Sequence, residues 1–107
     1  MKISFSDAAR QAPEDYAELS KTTSMLEDVL GASADLVSGK WDRKEDAKGR
    51  PVYTLQLSDW SGAVTGVFAP AELKQTSQLR MRFNRLWGDL LQIRSHKQLE
   101  ELLQKNT

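Results

Sequence analysis

A single histidine, His96, and the absence of cysteine limit the chemistry open to this 107-residue chain. A nucleophilic hydrolase would need His96 as its base and would take its serine and acid from Asp59-Trp60-Ser61-Gly62. That run lacks the G-x-S-x-G elbow that presents a catalytic serine, and its composition is that of a tight turn. With one imidazole and no thiolate, zinc lacks its preferred ligands. Asp42, Glu45 and Asp46 are interleaved with Arg43, Lys44 and Lys48, which oppose a cation, and the segment does not follow the calcium-loop pattern. Gly62 and Gly66 have no Lys-Ser/Thr after them, so no phosphate loop is present. Fifteen acidic residues allow many carboxylate pairs, but no spacing selects one for acid–base work. The expectation is a protein that is not an enzyme and takes no cofactor and no metal.

Basic residues open a second line. Lys74, Arg80, Arg82, Arg85, Arg94 and Lys97 cluster towards the C-terminus, and Lys40, Arg43, Lys44, Lys48 and Arg50 surround a charged segment at residues 42–50. With Trp41 as a stacking residue, these could grip a nucleic acid through the hairpin and the arginine-bearing helix 77–94. Against this alternative stand a net charge of zero and a pI near 6.6, well below the range typical of nucleic-acid binders. Asp89 also sits one helical turn after Arg85 and blunts the basic face. The charge is unevenly spread: residues 1–35 hold seven acids against three bases, and residues 70–107 hold seven bases against four acids. The simplest reading pairs the two ends within the molecule.

Tryptophan and arginine are the residues that dominate protein–protein hot spots. The leading expectation is therefore a small protein-binding or adaptor domain with Trp60, Arg82, Arg85, Trp41 and Arg43 at its contact surface. The partner would be an unknown protein. A homodimer through an outer sheet face bearing Val52 and Val67 is a further option. No run approaches the roughly 20 apolar residues that span a bilayer, and the N-terminus lacks the apolar core of a secretory signal. A cytoplasmic, soluble protein without membrane contact is expected.

The elements that must carry these residues follow from periodicity. Tyr16, Leu19, Thr23, Leu26 and Leu30 recur at helical spacing behind Pro13 and ahead of Gly31, which predicts a helix over 13–30. Upstream, Ser6 is placed to cap a short turn from Asp7 to Gln11. Leu36–Trp41, Tyr53-Leu55-Leu57 and Val64–Phe68 read as three strands, the latter two joined by the turn at Asp59–Gly62. Leu79, Phe83, Leu86, Leu90 and Ile93 make one apolar stripe over 77–94. Gly88 interrupts that helix and suggests close approach of a neighbouring element. Ser95 and Gln98 fit a capping box that would start a short final helix with Leu99, Leu102 and Leu103. The fold expected is a single α+β domain over 1–107. It has two layers, in the order helix, three-stranded antiparallel meander, long helix, short C-terminal helix.

Overall fold

The computed structural model describes residues 1–105. The chain runs through β1 (Lys2–Phe5), α1 (Asp7–Arg10) and α2 (Pro13–Leu30). A 3-10 turn at Gly31–Leu36 then leads into β2 (Ser38–Glu45), β3 (Pro51–Asp59) and β4 (Gly62–Phe68). A second 3-10 turn, Pro70–Lys74, precedes α3 (Thr76–Lys105).

The boundaries have local causes. Ser6 caps α1 by accepting from the Ala9 N–H at 3.1 Å, and its hydroxyl donates to Asp42 Oδ1 at 2.6 Å, which fastens the helix start to β2. Pro13 sits where a missing N–H costs no intrahelical bond. Gly31 ends α2 with φ +60°, a left-handed conformation that glycine adopts without a Cβ penalty.

The sheet has four strands in the order β1-β2-β3-β4, with β1 parallel to β2 and the remaining pairs antiparallel. The expected three-strand meander is therefore only part of it. Residues 2–5 add a fourth strand, placed next to β2 because α1 and α2 return the chain to the other end of the sheet. A second difference is at the C-terminus: α3 runs unbroken through Ser95, so the long and short helices are one. No glycine or proline lies between Ile93 and Lys105 to stop it.

Register decides which side chains meet the helices. Phe5, Trp41, Leu55 and Gly66 lie in one row across the sheet. On this inner face Trp41, Tyr53, Leu55, Leu57 and Phe68 are fully buried, against Leu19 and Leu26 of α2 and Phe83 and Leu90 of α3. Trp41, Phe68 and Phe83 form an aromatic cluster with ring centroids 5.5–6.4 Å apart. Gly66 lets α3 come down on the sheet: a Cβ there would lie 2.8 Å from Leu86 Cδ1 and 3.1 Å from Phe68 Cε2. The outer face, with Lys40, Gln56 and Thr65 in one row, is exposed. Both helices thus cover one side of the sheet and leave the other open.

Candidate functional site

The residues expected to form a contact surface are scattered. Trp41 has no exposed surface; it stands at the centre of the core because its strand position shares a face with Gly39 and the row of Leu55 and Gly66. In this conformation it offers nothing to a partner. Arg43, two residues on, points to the same side, half-buried beside Tyr53. Trp60 is 56% exposed at the β3–β4 turn. Arg82 is at the other end of β4, a separation of about 20 Å by strand length. The structure does not assemble Trp60, Trp41, Arg43 and Arg82 into one patch.

Most of the arginines hold the fold. Arg82 donates to Glu72 Oε2 and to the Val67 carbonyl, both at 2.6 Å, with its guanidinium 4.1 Å from the Phe68 ring centre. The Ala69 N–H bonds Glu72 from the other side; with Arg82 it outweighs burial and keeps that carboxyl below its ordinary range. Arg94 donates to Asp59, and Arg80 to Asp28 at 2.9 Å across to α2. In the hairpin, Arg50 bonds Asp46. Arg85 is exposed and forms no ion pair among the described residues. It borders a shallow cleft of about 340 Å³ with Thr65, Gly66, Leu86 and Asp89.

The polar cluster around Tyr53 is also structural. Its hydroxyl donates to Asp15 Oδ2 at 2.7 Å, and burial together with that carboxylate pushes its pKa up to about 12. A phenol so held is a poor base at neutral pH. Among the described residues no three of His, Cys, Asp and Glu come together as metal ligands. His96 is exposed midway along the outer half of α3, far from a first turn.

The largest unexplained surface is the back of α3. The inner stripe, Leu79, Phe83, Leu86 and Leu90, is buried. At 100° per residue, Met81, Asn84, Gly88, Leu91, Ser95, Leu99 and Leu102 lie on roughly the opposite side. Met81 is 71% exposed, Leu99 54% and Leu102 58%, with Leu91 and Leu103 also open. Gly88 has nothing within 4 Å of where a Cβ would stand, so no element of this chain requires glycine there. A mid-helix glycine costs about 1 kcal/mol relative to alanine. The signal was in the sequence as a second 3-and-4 series running beside the first, in which Met81, Leu91, Leu99 and Leu102 are interspersed with Asn84, Gly88 and Ser95.

Comparison with protein-family models, curated proteins and solved structures gave no match. The chain's own surface carries the functional argument.

Proposed function

We propose that this domain is a non-enzymatic protein-binding module that uses the outward face of α3. One observation carries the reading: beyond its covered stripe, α3 exposes Met81, Leu91, Leu99, Leu102 and Leu103, interspersed with Asn84, Gln92 and Ser95. Large apolar side chains gathered on one exposed face mark interaction sites, whereas single ones scattered over a surface do not. Arg85, exposed beside this stripe, extends the contact surface as an interface arginine. The alternative of a nucleic-acid interface draws less support, because Arg80, Arg82 and Arg94 are already paired with Asp28, Glu72 and Asp59.

The test is capture with the folded domain as bait, beside a Leu99→Glu/Leu102→Glu variant of unchanged circular dichroism. A protein retained by the first and lost by the second supports the reading, this chain itself included. Equal retention by both, or nothing retained by either, overturns it.

A further inference from the structure

We propose that β4 is a docking edge, which takes an extended peptide as a fifth, antiparallel strand with an acidic side chain against Arg85. The site is separate from the outward face of α3 and is argued from different observations.

Backbone parity defines the edge. The Asp46 N–H bonds the Arg50 carbonyl at 2.9 Å, so these two residues are a hydrogen-bonded pair. Hydrogen-bonded pairs recur at every second position from there. Val52, Thr54, Gln56 and Ser58 therefore turn their backbone groups to β2, and Tyr53, Leu55 and Leu57 turn theirs to β4. Phe68, Gly66 and Val64 are the partners of these three, which leaves Ala63, Thr65 and Val67 with N–H and C=O directed away from the sheet. The Val67 carbonyl agrees, since it accepts from Arg82 at 2.6 Å. Among the described residues nothing bonds the three outward N–H groups or the carbonyls of Ala63 and Thr65. A row of alternating donors and acceptors at strand spacing is matched by a second extended backbone.

The two edges of the sheet are built differently. β1 has only four residues and starts on Lys2; a short strand and a lysine both discourage added strands. β4 runs for seven residues, Gly62–Phe68, in continuous register and without a charge or a proline. Arg82 guards its last carbonyl and leaves the stretch from Ala63 to Thr65 open.

Charge on the wall of the cleft selects the occupant. α3 runs antiparallel to β4, with Arg82 at Val67, Leu86 over Gly66 and Ile93 at Gly62. The shallow cleft beside Thr65 and Gly66 is walled by Arg82, Arg85, Leu86 and Asp89. Arg85 and Asp89 are exposed, and neither forms an ion pair among the described residues. Four helical residues separate them by a rise of about 6 Å, close to the roughly 7 Å between alternate residues of a strand. Antiparallel pairing is the more stable kind and continues the pattern of β2 to β4. A peptide in that direction passes Arg85 first and Asp89 second. An acidic residue followed two positions later by a basic one, both facing α3, meets each with its opposite charge.

Titration of the isotope-labelled full chain with a synthetic peptide, followed by NMR, tests the proposal. The probe is a capped peptide of about eight residues, with valine, glutamate, lysine and valine at alternate positions and threonine between them. Shifts are expected at the Ala63, Thr65 and Val67 amides, approaching saturation below about 1 mM. Arg85→Glu should weaken binding at least about fivefold, and a peptide with lysine in place of the glutamate should restore it. N-methylation at the threonines keeps every side chain, removes the N–H groups that would bond β4, and should abolish binding. Leu99→Glu/Leu102→Glu should bind the peptide as the parent does, because the outward face of α3 takes no part. Absence of shifts at about 1 mM peptide would overturn the proposal. So would equal binding of the N-methylated peptide, indifference to Arg85→Glu, or loss of binding in Leu99→Glu/Leu102→Glu.

Discussion

Arg94 places two of its guanidinium nitrogens on a single oxygen of Asp59, at 3.1 and 2.8 Å, across 35 residues of sequence. The Asp59 carboxylate is fully shielded from solvent, and its other oxygen accepts from the Ser61 backbone N–H and hydroxyl. The β3–β4 turn is thereby clamped to α3 at the level of Ile93, where the helix leaves the sheet. Stacking of Arg94 5.2 Å from the centre of the Trp87 ring holds the guanidinium from the helix side.

Loss of this clamp is expected to be costly. Arg94→Ala leaves a buried carboxylate without its cation, and such breaks cost about 3 kcal/mol or more. Urea unfolding followed by circular dichroism should show a lower midpoint with an unchanged slope. A change within 0.5 kcal/mol would mean the pair contributes nothing net, a usual outcome for exposed pairs.

The pH profile has a limb on each side. Burial raises the pKa of Asp59, but the bonds from Ser61 and Arg94 outweigh it, and the group is held below its ordinary 3.8. Asp42, bonded by Ser6, and Glu72, bonded by Ala69, are also lowered. A carboxyl lowered in the folded state stabilises the fold above its unfolded value, and that contribution disappears as pH falls through the folded one. Stability should therefore fall below about pH 4.5, with a shallower slope in Asp59→Asn. Tyr53, raised to about 12, has the opposite sign: its contribution is complete below 10.0 and lost as pH climbs through 12. Tyr53→Phe should remove that alkaline limb. Thermal midpoints measured from pH 2 to 12 would reveal both.

Two glycines give opposite outcomes for the same substitution. Gly66→Ala drives a Cβ to 2.8 Å from Leu86 and should destabilise by about 1–3 kcal/mol through overpacking. Gly88→Ala meets nothing within 4 Å and should raise helix stability by up to about 1 kcal/mol. Parallel urea titrations of the two variants compare them directly.

The tryptophans separate just as sharply. Trp41→Ala removes a wholly buried indole that packs on Phe68 and Phe83, at a cost of about 3–5 kcal/mol. Trp60→Ala should stay within about 0.5 kcal/mol of the parent. Acrylamide quenching on variants that retain one tryptophan each should reach Trp60 and leave Trp41 protected.

Local signals made much of this fold readable. Pro13 and Gly31 bracket α2 at its observed ends, and the alternation around Tyr53, Leu55 and Leu57 marks β3. Distant residues decide the rest. Ile3 and Phe5 alternate over only four residues, too few to announce a strand, and they become one by hydrogen bonding to β2, over thirty residues away. Ser95 and Gln98 carry a cap signature, yet a serine inside a helix costs only a few tenths of a kcal/mol, about 0.5. The unbroken turns before and after it prevailed. Trp41 has the residue type of a contact surface, but strand parity and the gap over Gly66 send it inward. Arg82 looks like free surface charge in the sequence because its partners, Glu72 and the Val67 carbonyl, are ten and fifteen residues away.

The sheet with one bare side divides the chain's freedom to vary. Trp41, Tyr53, Leu55, Leu57 and Phe68 are pinned in the core, while their strand neighbours Lys40, Gln56 and Thr65 are exposed on the other face. Exchanges among these three should leave folding almost untouched. A new recognition function could be written on this flat surface without altering the core or the back of α3, so the two faces of the molecule can evolve independently.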